Sequence, residues 1–287
     1  EKEMSLPLEG GEGEPFTVLR RIGAPLLERL NSKAKARGVT LNDVLVTAFG
    51  RAHRALTGSP ECAVPCPVDL RKYLPDDARC GICNLSGEYV CRFPVEKGEP
   101  FGETLKRVTR VLSEQKRSLD CLKGPMLLDL LFTALPFRTV KKIFNRKFSI
   151  PVVSYTNIGV LDRRRLDFGI GKPLDAYLTT AVKHPPYFQV SVSTYEGCTL
   201  SSNLCGTERD RRTAEAFLDT MVLELERFGA ERAHKAPAGS KTNAGGGFHA
   251  EGQPAGQQRG PDAQGKGADA PDKGKSEPEP KRQKAVR

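Results

Sequence analysis

Apolar residues recur along this chain with two different periods, and their alternation predicts an α/β domain. Positions 25–37 carry a helical pattern, with Pro25 in the first turn and Gly38 just past the end. Thr40 and Asp43 form a capping-box-like start for a second helix. Its apolar residues Leu41, Val44, Leu45, Ala48, Ala52 and Leu56 keep helical spacing, and Gly58 closes it. A long amphipathic helix is predicted over 101–119, with Leu105, Val108, Leu112 and Leu119 on one face. Residues 126–135 read as a more buried helix and 139–148 as a short basic one. The last helix, 211–228, puts Ala214, Phe217, Leu218, Met221, Val222 and Leu225 on one stripe.

Strand signals fall between the helices, over 16–20, 63–70, 84–95, 150–156, 177–182, 187–195 and 199–204. In the sixth of these, Phe188, Val190 and Val192 alternate with Gln189, Ser191 and Ser193, and Glu196 with Gly197 makes a turn into the seventh. The expectation is a mixed β-sheet flanked by helices over residues 15–229. Residues 1–14, rich in Glu and Gly, read as a linker. Beyond Phe228 the chain turns to Gly, Pro, Gln, Lys and Asp, too little apolar surface to offset the entropy of ordering it, so 230–287 is expected to be a disordered tail.

Charge and composition narrow the function classes. The net charge is +10, and residues 233–287 hold ten Lys/Arg against six Asp/Glu. No groove-reading motif accompanies the basic balance, so nucleic acid is not the expected partner. The longest apolar stretch, 126–135, is too short to span a bilayer, and no signal-peptide pattern opens the chain. Eight cysteines in a long chain without a secretion signal read as reduced thiols of a cytoplasmic protein. The first residue is Glu1 rather than Met, as expected of a chain that begins inside a longer protein or after processing.

The most informative local pattern is Asp167-Phe168-Gly169-Ile170-Gly171-Lys172-Pro173. Its two glycines permit backbone angles that other residues disfavour, and Pro173 launches an extended segment. Asp167, Gly169 and Gly171 are therefore read as a structural loop. This pattern resembles the Asp-Phe-Gly-x-Gly-Lys-Pro loop of the chloramphenicol-acetyltransferase-like superfamily, with Ile170 where an aromatic residue is usual. That superfamily includes plant acyltransferases, alcohol acetyltransferases, wax ester synthases and the condensation domains of peptide synthetases. Three further stretches agree in order. Gly38-Val39-Thr40-Leu41-Asn42-Asp43-Val44 resembles the opening of the helix that begins the second half of that fold. Asn84-Leu85-Ser86-Gly87 resembles a segment near the acyl channel, and Ser154-Tyr155-Thr156-Asn157-Ile158-Gly159 resembles the strand end ahead of the loop.

The resemblance covers roughly residues 15–229 and implies the C-terminal lobe of a two-lobed, coenzyme A-dependent acyltransferase-like fold. It implies transfer of an acyl group from a thioester, of coenzyme A or of a phosphopantetheine carrier, to an alcohol or amine. The thioester would be a co-substrate, with no tightly bound cofactor. Asn84, Ser86, Ser154 and Asn157 become candidates for the substrate channel or for donors to a developing oxyanion.

The resemblance also implies a His-His-x-x-x-Asp-Gly motif in the preceding half, whose second His acts as general base. This chain has only His53, His184, His234 and His249. Ala52-His53-Arg54-Ala55-Leu56-Thr57-Gly58 matches two of that motif's four fixed positions but lies inside a predicted helix. No catalytic residue is therefore assigned here, and the expected partner is the missing N-terminal half. The alternative is a non-catalytic binding module derived from such an enzyme.

Two other constellations are weighed and set aside. Cys80 and Cys83 form a Cys-x-x-Cys with Cys62 and Cys66 upstream. In a strand, Cys62 and Cys66 share a face about 13 Å apart, which is poor geometry for a tetrahedral zinc site, so no metal is expected. Lys141, Lys142, Arg146 and Lys147, with Arg163, Arg164 and Arg165, have the charge to meet the phosphates of a thioester donor. Such clusters more commonly mark solvated faces.

Overall fold

Residues 4–75, 83–147, 151–166, 168–169, 171 and 173–231 are described by the computed structural model, all within the first of two compact units, residues 1–235. Strand β1 (Glu14–Ile22) turns Phe16, Val18 and Ile22 inward. Helix α1 (Ala24–Ala36) follows with proline in its first turn. Helix α2 (Leu41–Thr57) starts on a reciprocal cap: Thr40 Oγ1 accepts from the Asp43 N–H at 3.2 Å, and Asp43 Oδ2 accepts from the Thr40 N–H at 2.9 Å. It ends at Gly58, whose φ of +74° is the left-handed geometry that a glycine adopts without strain.

The next segments are β2 (Glu61–Asp69), β3 (Ser86–Pro94), α3 (Phe101–Ser118), α4 (Lys123–Ala134) and α5 (Phe137–Lys147). They are followed by β4 (Val153–Val160), β5 (Phe188–Thr194), β6 (Cys198–Gly206) and α6 (Glu208–Ala230). One sheet runs in the order β1-β6-β5-β4. Its β1/β6 and β6/β5 pairs are antiparallel and β4/β5 is parallel, so it is mixed. Strands β2 and β3 form a separate antiparallel pair, with β2 lying beside β4.

Helices α2 and α6 pack on each other, and α6 packs on β1 and β6. The core between the helices and the sheet is aromatic at its centre. The Phe217 ring meets Phe49 edge-on at 5.0 Å and Phe188 at 5.1 Å, and Phe49 meets Tyr155 at 5.6 Å. Each such pair contributes about 0.5–1.5 kcal/mol beyond simple burial. A mostly buried ionic network ties the helices together. Arg51 of α2 pairs with Glu224 of α6 and donates to Thr104 Oγ1 at 3.2 Å, while Glu99 accepts from Thr104 at 2.7 Å and pairs with Arg107.

The structure departs from the sequence expectations in four places. Helix α4 forms, but although its apolar composition predicts burial, none of its residues is buried among the described residues. Leu119, expected on the buried stripe of α3, ends that helix in the left-handed region at φ +56° and is exposed. Residues 177–182 do not form a strand. They run across the polar face of β5 and β6, where side chains hold their backbone: Ser191 and Ser201 donate to the Leu178 carbonyl, and Asn203 donates to the Thr180 carbonyl at 2.6 Å. Finally, the opening segment read as a linker sends Met4 and Leu6 into the core.

Candidate functional site

Strand β4 carries two of the polar residues singled out above, Ser154 and Asn157, and its pleat sorts them. Ser154 and Asn157 are three residues apart, so they project to opposite faces. Parallel pairing puts Ser154 and Thr156 in register with Gln189 and Ser191, on the hydroxyl-rich face crossed by residues 177–182. Tyr155 and Asn157 point the other way, toward α2. Ser154 and Asn157 therefore do not converge on one oxygen.

What does converge with Asn157 is a residue the sequence patterns did not single out as a site. Asn42 stands in the first turn of α2, and its Oδ1 accepts from Tyr155 Oη at 3.1 Å and from Asn157 Nδ2 at 3.0 Å. Two donors on one carbonyl fix the orientation of the Asn42 amide, leaving its NH₂ group with two N–H bonds directed away from the pair. Asn157 is fixed in turn, since its Oδ1 accepts from the Gly159 N–H at 3.0 Å across the irregularity in β4. Gly159 takes φ +83° there.

The cluster sits at a helix N-terminus, where unpaired N–H groups give a partial positive potential. Burial, together with the nearby Cys66 and Cys198 thiols, pushes the Tyr155 phenol well above its ordinary range, so it stays a neutral donor. Behind it, Asp43 is buried with Oδ1 unpartnered while Oδ2 serves the cap. The arrangement offers amide donors on a rigid frame, the kind of group that stabilises developing negative charge. The capping box of Thr40 and Asp43 marks the helix start on which Asn42 stands, but no sequence signal pairs it with Tyr155 and Asn157.

The other candidates lie elsewhere. Asn84 and Ser86 stand exposed at the start of β3, where Asn84 Oδ1 accepts from the Ser86 N–H at 3.2 Å and Ser86 pairs in register with Asp69. Among the described residues no side-chain hydrogen bond joins them to Ser154, Asn157 or Asn42. Gly169 and Gly171 have φ of +73° and +149°, and Asp167 lies outside the described residues.

His53 is in the core, with Nε2 on the Ser5 carbonyl at 3.0 Å and Nδ1 3.9 Å from the Cys62 thiol. Burial lowers its pKa, partly countered by the Ser5 bond, and burial pushes Cys62 up to about 12. Both side chains are buried in the core. His184 is exposed beside the Pro185–Pro186 pair, while His234 and His249 lie outside the described residues, as does Cys80. Cys62, Cys66 and Cys91 line the inner face of the β2–β3 pair. Among the described residues no three His, Cys, Asp or Glu come together as a metal site. Arg163, Arg164 and Arg165 form a short exposed turn in which Asp162 pairs with two of them.

Solved structures share this architecture. One is the PapA2 acyl transferase, with a TM-score of 0.56 at 13% identity, covering 79% of this chain and 48% of that one. Another is the TRI3 trichothecene 15-O-acetyltransferase from Fusarium sporotrichioides, with a TM-score of 0.55 at 16% identity, covering 78% and 48%. A third is a condensation domain that mediates chain release from the enacyloxin polyketide synthase, with a TM-score of 0.54 at 19% identity, covering 84% and 47%. No protein-family model and no curated protein matches the chain. At these identities the likeness is one of fold: the described residues have the mixed α/β fold of one half of condensation domains and acyltransferases. The chain spans about half the length of the structures it matches.

Proposed function

We propose that this chain is the C-terminal lobe of an acyltransferase that moves an acyl group from a thioester to an alcohol or amine. One observation carries the reading: acyltransferases and condensation domains cover 78–84% of this chain, while it accounts for only 47–48% of each of them. A lobe of this kind supplies a wall of the substrate channel and fixed donors. Asn42 and Asn157, at the N-terminus of α2, are the groups suited to a tetrahedral oxyanion, a role in which one donor is worth about 10²- to 10³-fold in kcat. The general base belongs to an upstream lobe with the paired-histidine motif, since His53 is sealed in the core. The thioester of coenzyme A or of a carrier phosphopantetheine enters as a co-substrate. Free thiols throughout the described residues support a reducing, cytoplasmic setting.

A second reading, a binding module derived from such an enzyme, is favoured by the lack of any imidazole among the described hydrogen-bond partners of Asn42, Tyr155 and Asn157. One assay separates the two. Thiol release from acetyl- and longer acyl-coenzyme A is measured for this chain and for a longer protein that carries an upstream histidine lobe, with folding checked by circular dichroism. The expected result is no turnover by the chain alone, turnover by the longer protein, and reduced turnover on Asp167→Ala through misplacement of the loop. Robust turnover by this chain alone, lost on His53→Ala, overturns the assignment. An inactive longer protein with its histidine motif intact supports the binding module instead.

A further inference from the structure

Helix α4 is apolar and stands in solvent. Met126, Leu130 and Phe132 are 68%, 63% and 53% exposed, Leu127 is nearly half exposed, and Phe137 at the start of α5 is 66% exposed and stacks against Phe132 with centroids 6.3 Å apart. Exposed apolar side chains grouped on one element in this way commonly mark an interaction surface. Its apolar side chains do not form one stripe. Met126, Leu127 and Leu130 share one side of α4, while Phe132 lies on the other. A helix that lies on a bilayer immerses one such side and keeps the other toward the headgroups.

The charges on and beside it are mostly cationic, with Asp129 on α4 and Asp120 just before it the exceptions. From Lys123 to Arg146 the sequence holds Lys123, Arg138, Lys141, Lys142 and Arg146 against Asp129 alone. Lys123 pairs with Asp120, whereas Arg138, Lys141, Lys142 and Arg146 are exposed and make no ion pair among the described residues. Helix α5 is amphipathic, with Val140 buried and its cations exposed. Unpaired cations flanking exposed Leu, Met and Phe match the layering of an anionic membrane, with acyl chains beneath phosphate and carboxylate headgroups. The 12 residues of α4 reach about 18 Å, well short of the roughly 30 Å hydrocarbon core, so the element lies on a bilayer rather than across it.

We propose that α4 and α5 form a docking surface for an anionic lipid bilayer, independent of the acyl-transfer reading. The chain contains no Trp, so Phe132→Trp places a single reporter on this surface. The full chain with Phe132→Trp is titrated with vesicles of phosphatidylcholine alone and with one third phosphatidylserine, at low and high salt. The expected result is a blue shift and quenching by brominated acyl chains on the anionic vesicles, weakened by salt. Adding Lys141→Gln with Lys142→Gln should lower the partition about thirtyfold, the effect of two cations near an anionic surface. Met126→Gln with Leu130→Gln should lower it about tenfold or more, and circular dichroism reports whether each variant is folded.

Binding of equal strength by wild type and both variants overturns the proposal, because it would then run through another basic segment. No shift on anionic vesicles also overturns it. Sedimentation of the same proteins tests a second copy as the occupant: a dimer that Met126→Gln with Leu130→Gln breaks, with no vesicle binding, assigns the surface to self-association instead. Occlusion of the Trp by an upstream lobe in a longer protein, with no vesicle binding, assigns it to that lobe.

Discussion

Asn157 Nδ2 donates to Asn42 Oδ1 across 3.0 Å, and this bond joins the edge strand of the sheet to the first turn of the helix behind it. Tyr155 donates to the same oxygen at 3.1 Å, so one side-chain carbonyl holds two residues of β4 in place. The geometry of the proposed donor group rests on that shared acceptor.

A double-mutant cycle measures it. Asn42→Ala and Asn157→Ala should each lower the unfolding free energy by about 1 kcal/mol, with a coupling of about 0.5–1.5 kcal/mol between them. Urea titration of the four proteins gives the value. A coupling of zero means the two amides do not act on each other in solution. In a two-lobed protein with turnover, Asn42→Ala should lower kcat about a hundredfold with KM little changed.

Gly50 lies in the middle of α2, where a Cβ would stand 2.5 Å from Phe93 Cζ and 3.5 Å from Cys62 Sγ. Replacing a mid-helix glycine by alanine ordinarily gains about 1 kcal/mol. Here overpacking costs about 1–3 kcal/mol and wins, because Phe93 is itself buried and has no room to turn. Gly50→Ala should therefore lower stability, and Gly50→Ala with Phe93→Leu should be more stable than the two single losses added together. Simple additivity would show that the contact is not the cause.

Acid should weaken the fold in two windows. His53 is held neutral by burial, so its folded pKa lies below the ordinary value near 6.5. As pH falls from neutrality through that value, the unfolded chain takes up a proton that the folded chain refuses, and stability drops until the folded pKa is passed. Glu99, Asp210 and Asp219 act lower down. Burial alone would raise Glu99 and Asp210, but bonds from Arg107 and Thr104 to the first, and from Thr207 and Glu9 to the second, outweigh it; Arg20 holds Asp219 down. Their contribution is full above the ordinary carboxylate range and is lost as pH falls through their lowered values. Unfolding free energy followed from pH 8 downward should show both falls, and His53→Gln should flatten the first while sparing the second. A slope near neutrality that His53→Gln leaves unchanged assigns it to another group.

Much of the frame was readable from residue order because local chemistry decides it. Thr40 with Asp43 and then Gly58 bound α2, the alternation from Phe188 to Ser193 marks β5, and the stripe from Ala214 to Leu225 marks α6. Neighbours in space decide the rest. Nothing in Met126 to Phe132 says that this helix stays exposed among the described residues, and residues 177–182 have strand-like composition yet are bound by the side chains of Ser191, Ser201 and Asn203 rather than by a ladder. The opposite aim of Ser154 and Asn157 was available from their odd spacing alone. Asn42 was hidden for a different reason: a polar residue in the first turn of a helix ordinarily meets water, and only the fold brings Tyr155 and Asn157 to it.

Strand β1 pairs along its length with β6, so Thr17 and Asn203 meet although 186 positions separate them. Their pairing shapes how the polypeptide comes into being. During translation, β1 leaves the ribosome with Phe16, Val18 and Ile22 already set to one side and no partner strand yet made. At about 5–20 residues per second, the wait for β6 is roughly 10–40 s. Closing such a long loop also makes the pairing slow once both strands exist. Strand β1 therefore waits without its partner until β6 is made, whereas β4 and β5 pair with each other and do not need that last strand.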